Sequence, residues 1–396
     1  MRLGNFALLA GLGLANPAFA QVLAPPSWEV GQAELKLNAD AGGALFGPRQ
    51  PGWNGTQASG ALRLMPGLKR SYDSGLSLGL EGTFTAADPL SRGRYDGDAI
   101  ERLAGSAGTG LGKIEVGLTD GAGYGLAVTG PKVDPGVSLE DARTSFFRDP
   151  ATHRALSEMF ALRTGVGASS NYAKIVYTSP ALFGAQLALS FTPSEGKQFP
   201  FLNAGPHVPG RQVEFWEAAL RYETDLDTKW GAVSLTAYGA VSESRAEHKL
   251  PGQEGTSDLG TGLRADYPVD EDTSLSLGGS YRQSNAYGFN VNQTWQAGTT
   301  RAGHVSAAVT HKQWMAGLEY GNGVADKVAS LGVNGARLGL NGLQASIGYK
   351  ISDSIQVSSG WQHQSYSRSS GAFFNGAPQL KMDAIYLHVK LNTSEE

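Results

Sequence analysis

Leu76-Ser77-Leu78-Gly79-Leu80-Glu81-Gly82-Thr83-Phe84 decides the fold. In an extended chain Leu76, Leu78, Leu80 and Phe84 fall on one face and Ser77, Glu81 and Thr83 on the other, because successive side chains of a strand point to opposite sides. The two-residue period returns along most of the chain, in Glu34 to Asn38, Lys113-Ile114-Glu115-Val116-Gly117-Leu118, Tyr172 to Tyr177, Gln186 to Phe191, Trp216 to Tyr222, Leu259 to Tyr267, Leu275 to Arg282, Trp314 to Tyr320, Leu343 to Lys350, Ile355 to Trp361 and Ile385 to Leu391.

The connections alternate in length. Tight turns such as Tyr72-Asp73-Ser74-Gly75, Val269-Asp270-Glu271-Asp272, His311-Lys312-Gln313 and Ile351-Ser352-Asp353-Ser354 take turns with long Gly/Pro/Asn-rich segments at 47–56, 194–211, 245–256 and 290–300. Counting hairpins this way predicts an all-β chain of about sixteen antiparallel strands, with both ends on the short-turn side. Two runs break the period. Ala99 to Gly105 places Ile100 and Arg102 on one face, and Arg337-Leu338-Gly339-Leu340 is out of phase with Leu343 to Ile347, so a bulge or a stretch of loop is expected in each.

Composition narrows the class. Cysteine is absent, which excludes disulfides, thiolate metal sites and a cysteine nucleophile. The net charge of −4 argues against nucleic acid as a partner. Glycine, at 54 of 396 residues, is about twice its usual ~7% share, which suits many strands and turns. Residues 1–20 have the zones of a secretory signal: Arg2, an apolar block from Phe6 to Leu14, then Ala18-Phe19-Ala20 before Gln21. Nothing after Gln21 approaches the roughly twenty consecutive apolar residues of a spanning helix. Strands that show one face to lipid and the other to water average to an unremarkable hydropathy, here −0.22.

So many amphipathic strands need a partner for their apolar faces. Either a second sheet or lipid covers them, and a sandwich of more than a dozen hairpin-linked strands would be very large. Lipid is the simpler partner. Trp216, Tyr222, Tyr267, Tyr281, Trp314, Tyr320, Tyr349 and Trp361 fall on the apolar face near strand ends, the place of interfacial girdles. The opposite face collects Lys36, Arg63, Lys113, Lys174, Arg221, Arg264, Arg282, Lys350 and Lys390 with Glu34, Glu81, Glu115, Glu217, Asp266 and Glu319. A barrel of about sixteen strands is too wide for side chains to fill, so these charges are expected to line a water-filled channel, with Lys36, Arg63, Glu81, Lys113, Glu115, Arg221, Arg264 and Arg282 as pore-wall residues.

The chain from Gln21 to Leu391 resembles the general bacterial porins, on its architecture and on Lys113 to Leu118 before a very long connection, Asn171-Tyr172-Ala173-Lys174-Ile175-Val176-Tyr177-Thr178-Ser179-Pro180, and Gly184 to Phe191. The resemblance implies a trimeric sixteen-stranded barrel in the Gram-negative outer membrane, in contact with lipid and lipopolysaccharide. It further implies that the loop at 120–170 folds into the lumen and narrows it. One departure is the end of the chain: Leu391, followed by a polar tail at 392–396, stands where that family usually has a terminal aromatic residue.

Within 120–170, a short helix is expected over 149–160, capped by Asp149 with Pro150 in its first turn. Asp134, Glu140 and Asp141 are expected to oppose basic wall residues such as Lys36, Arg63 and Lys113 across a narrow gap, setting a transverse field. Arg143 and Arg148 join them as constriction residues and make the loop mixed in sign, as do Arg154 and Arg163, so the sequence assigns no ion preference. The seven histidines have no metal-ligand spacing, no GxSxG elbow is present, and no cofactor is expected. The function read here is passive diffusion of small hydrophilic solutes and ions. The alternatives are a sugar-selective pore using Phe146, Phe147, Phe160, Phe199 and Phe201, a barrel enzyme with a Ser/His pair on its lipid-facing rim, and a soluble carbohydrate-binding sandwich.

Overall fold

A computed structural model of the chain describes residues 27–30, 33–50, 53–87, 100–140, 147, 162–169, 172–195, 211–229, 231–247, 254–285, 299–326, 337–369 and 379–393. The signal segment, Asp141, Arg143, Arg148, Arg154, the expected helix at 149–160, Phe146, Phe160, Phe199, Phe201 and the last three tail residues lie outside the described residues.

The described strands, in chain order, are β1 Ser27–Val30, β2 Ala33–Gln50, β3 Trp53–Asn54, β4 Gln57–Ser71, β5 Ser77–Ala87, β6 Ile100–Thr109, β7 Gly112–Leu118, β8 Ala173–Thr178, β9 Ala185–Ser194, β10 Gln212–Thr228, β11 Gly231–Ala246, β12 Ser257–Pro268, β13 Thr273–Ser284, β14 Thr300–His311, β15 Trp314–Ala325, β16 Leu338–Ser352, β17 Ile355–Arg368 and β18 Gln379–Asn392. Two are appendages of β2: β1 forms a hairpin with its first residues, and β3 caps its far end. The remaining strands pair antiparallel with their sequence neighbours, and β18 returns to β2 from Asp383↔Arg49 to Asn392↔Asp40. The result is the closed sixteen-stranded barrel expected from the hairpin count. Closure leaves no open edge, so the ladder hydrogen bonds are satisfied without water, the condition for spanning hydrocarbon. The short turns fall where the sequence places them, and Gly75, at φ 81°, supplies the left-handed residue that closes Tyr72 to Leu76.

Burial is inverted relative to a soluble protein. Leu80, Leu220, Leu263, Leu318 and Ile385 are more than half exposed on the outer surface, whereas Glu217, Ser242, His304, Glu319 and Gln344 are almost wholly buried inside. Only an apolar surround makes that distribution favourable, because each exposed leucine would otherwise forfeit about 1.5–3 kcal/mol of burial. The outward rings form two bands. Trp216, Tyr281, Tyr320 and Trp361 lie toward the long loops, and Tyr222, Tyr267, Trp314 and Tyr349 toward the short turns, with Trp314 and Tyr349 in ring contact at 4.7 Å.

The two irregular runs resolve differently. Between β5 and β6 the register shifts, with Thr83 opposite Arg102 and Phe84 opposite Ile100, so Glu101 is the extra residue of a bulge. No bulge and no loop interrupts β16 between Leu338 and Ile347, which corrects the second expectation: the strand pairs with β15 in unbroken register. Leu338 and Leu340 simply point inward, into an apolar cluster with Phe46, Leu139, Phe147, Leu162, Leu380 and Met382. The phase error in the sequence marks an apolar patch inside the lumen.

Candidate functional site

The described stretches of the connection after β7 lie inside the barrel, along its inner wall. It begins with a four-residue turn of helix, α1 (Ala122–Gly125), and contains a 3-10 turn at Pro135–Val137. Near α1, the Ala122 amide donates to Ser190 Oγ on β9 at 3.0 Å, the Gly123 amide donates to Glu217 Oε2 on β10 at 3.2 Å, and the Tyr238 hydroxyl on β11 donates to the Gly123 carbonyl. Farther on, Gln356 Nε2 of β17 donates to the Val133 carbonyl at 2.8 Å and the Leu139 amide donates to Glu319 Oε2 of β15 at 3.2 Å. The loop returns along the same wall: Leu162, Thr164 and Val166 are buried against it, and the Ser169 amide donates to Glu217 Oε1 at 3.3 Å.

This bed exists because the wall is made small where the loop lies. A Cβ at Gly262 of β12 would fall on the Val128 carbonyl, and one at Gly321 of β15 would fall on the Leu162 side chain. Inward positions of β9 to β18 are rich in Gly, Ala and Ser. Those of β2 to β7 instead carry long charged groups.

On that second wall Arg63 is paired with Asp40, and Arg102 bridges Glu115 at 2.5 Å and Glu81 at 3.1 Å. Lys113 also reaches Glu115 at 3.3 Å, and Lys36 reaches Glu34 at 3.3 Å. These side chains remain partly solvated. Elsewhere in the lumen Arg221 pairs with Glu223, Arg264 with Asp266 at 2.8 Å, and Arg282 grips the buried Asp258 through two bonds of 2.7 and 2.5 Å. All eight wall residues picked from the sequence therefore face inward and each sits in an ion pair.

The loop carboxylates are placed otherwise than the sequence suggested. Asp134 is buried, bonded to the Ser358 hydroxyl, to His388 Nδ1 at 2.6 Å and to the Gly136 amide at 2.9 Å. Burial pushes its carboxyl upward, but the His388 bond and charge, with Ser358 and Gly136, outweigh that and hold it below the ordinary carboxylate range. Glu140 takes Lys132 at 2.9 Å, the Thr164 hydroxyl and His304 Nδ1 at 3.4 Å. Burial opposes ionisation there too, and Lys132 and His304 more than offset it. Neither carboxylate contacts Lys36, Arg63 or Lys113: Asp134 fastens the loop to β17 and β18, whereas Glu140 ties two stretches of the loop together through Lys132 and Thr164 and approaches β14 at His304. The exposed loop side chains among the described residues include Asp120, Tyr124 and Arg163.

His304, His388, Arg102, Asp40 and Asp258 escaped the sequence reading. The two histidines had a signal in Ala302-His304-Ser306 and Ala384-Tyr386-His388, where one imidazole sits among inward residues of strands whose outward faces are aliphatic.

A closed barrel with an inverted surface and an internal loop defines an outer-membrane channel protein. The chain matches the family model described as Gram-negative porin over residues 6–372 and belongs to that family. Solved structures with the same fold include the Salmonella typhi OmpF complex with daunomycin (13% identity, 92% of this chain and 100% of that one, TM-score 0.58). The outer membrane channel DcaP of Acinetobacter baumannii matches at 12% identity over 92% of this chain and 98% of that one, TM-score 0.55. An anion-selective porin from Comamonas acidovorans matches at 11% identity over 91% and 99%, TM-score 0.54. At these identities the likeness is one of fold. No curated protein sequence matches the chain.

Proposed function

We propose that this porin is a water-filled pore for passive diffusion of small hydrophilic solutes and ions, exported through a signal peptide at residues 1–20 and carrying no enzymatic activity. The observation behind this reading is the half-solvated charged wall of β2 to β7, which faces the lumen and is left bare by the described part of the loop. The constriction is assigned to the 120–170 segment, with Asp134 and Glu140 holding it in place and Asp141, Arg143 and Arg148 as its further charged residues. Liposome swelling tests the idea: small sugars should enter at rates that fall steeply with size, and uniform exclusion of even the smallest would contradict it.

The rim comes near to a hydrolase arrangement at one place. His363 Nδ1 lies 3.0 Å from Asp383 Oδ1 on the outer surface, and Ser365 is two residues along the same face. Ser365 Oγ instead accepts from Gln379 Nε2 at 2.6 Å, is buried, and shares no hydrogen bond with His363, so nothing activates it as a nucleophile.

A homotrimer is the oligomer proposed. Among the described residues, the outward faces of β18, β2 and β4 to β7 carry no tryptophan or tyrosine, Trp28 of the β1 appendage is exposed beside them, and the aromatic bands run over β8 to β17. A face without interfacial anchors is suited to pack against further copies, while the remainder meets lipid and lipopolysaccharide. Cross-linking in native outer membranes should trap trimers through that face.

A further inference from the structure

Among the described residues, the lumen's cations are almost all neutralised. Lys36, Arg63, Arg102, Lys113, Lys132, Arg221, Arg264 and Arg282 each touch a carboxylate. Lys174 is buried with Ser169, and Lys69 stands opposite Glu34 near the short-turn rim. Lys350 on β16 and Lys390 on β18 have no ion pair, and both remain accessible from the lumen. They also share a row. Gln356 of β17 is opposite both, Lys350↔Gln356↔Lys390, and its amide is already committed to the Val133 carbonyl of the loop. One rung nearer the long loops, Gly348, Ser358 and His388 form the next inward row, where Asp134 is fastened.

Resting on the pore reading above, we propose that Lys350 and Lys390 hold and pass small anions, chloride, carboxylates or inorganic phosphate, and thereby give the channel an anion preference. Their Cα atoms are two strand spacings apart, about 10 Å, so two flexible ammonium groups can close on one small anion between them. The nearby carboxylates are engaged: Asp134 with His388, and Asp40 with Arg63. Asp353, in the turn below, makes no ion pair with either lysine. Among the described residues, Asp225 and Asp227 at the short-turn end of β10 and Asp120 just after β7 also make no ion pair, and all three lie far around the barrel from β16 and β18. At physiological salt a screening length near ~8 Å leaves the field around the lysine pair its own. A solute moving past the loop anchor meets that field at the next rung.

The test is the reversal potential of the detergent-purified full chain in a planar bilayer under a KCl gradient, with inorganic phosphate as a competing probe. Wild type should favour chloride over potassium, and phosphate should depress its chloride current. The double variant Lys350→Gln/Lys390→Gln should lose that preference several-fold and lose the phosphate block, while Lys350→Arg/Lys390→Arg keeps both. A double variant with an unchanged permeability ratio, or a potassium-preferring wild type, overturns the anion assignment alone. A folded, inserted wild type that passes no ions overturns the pore reading and this proposal with it.

Discussion

Asp134 of the luminal loop and His388 of β18 meet at 2.6 Å across 254 residues of sequence. The contact fixes how far the loop stands from the wall behind it. Its acid side carries a pH dependence. A carboxyl whose folded value is depressed contributes stability above its unfolded value, near ~3.9, and loses it as pH falls through the lower folded value. Loop docking should therefore hold at neutral pH and weaken below about pH 4, with Glu140, also depressed, failing in the same direction. Open-channel current noise should rise on that acid limb. Asp134→Asn should show the excess noise already at neutral pH, and a flat noise profile through pH 3 would break the link.

Bed geometry makes a second prediction. Gly262→Ala puts a methyl group where the Val128 carbonyl lies, so the loop has to shift while the barrel ladder stays intact. Conductance should change measurably with no loss of the folded, heat-modifiable species on gels. Gly239, on the outer face of β11 with open space around it, is the control, and Gly239→Ala should leave conductance alone.

Charge on the outer face should cost more than charge on the inner one. Leu263, near the middle of β12 and over half exposed to lipid, should lose about 2–4 kcal/mol of stability on substitution by arginine. Its neighbour Arg264 faces the lumen, and Arg264→Leu should change far less. Urea unfolding in lipid vesicles measures both, and equal losses would remove the case for lipid outside and water inside.

Arg102 bridges Glu81 and Glu115 on the bare wall. Arg102→Gln leaves Glu81 with no ion pair among the described residues and Glu115 with Lys113 alone, so the channel should move toward cations. Reversal potentials under a salt gradient read the shift directly, and movement toward anions would mean that this wall does not face the ion path.

How much of this was legible follows from what each residue answers to. Leu78, Leu80 and Leu263 answer to one partner, lipid, so alternation alone placed them, and the turns at Gly75 and Lys312 fixed the strand count. The inward faces answer to two partners, water and the loop. Leu338 and Leu340 looked out of phase because their partner is an apolar cluster inside the lumen, which strand periodicity does not encode. Asp134 and Glu140 were recognisable as loop carboxylates, but the cations opposite them could be chosen only once β18 and β14 were known to pass behind the loop. His304 and His388 were visible residues without visible partners. The middle of the loop, with Asp141, Arg143 and Arg148, stands as a proposal on both accounts.

Passage of any solute requires an open aqueous path through the barrel beside its internal loop. Single-channel recording of the purified, folded full chain in a planar bilayer at neutral pH tests it most directly. Stepwise, ohmic openings, arriving in groups of three for the proposed trimer, are the predicted result, and a barrel that inserts, resists unfolding at room temperature and carries no current would contradict it.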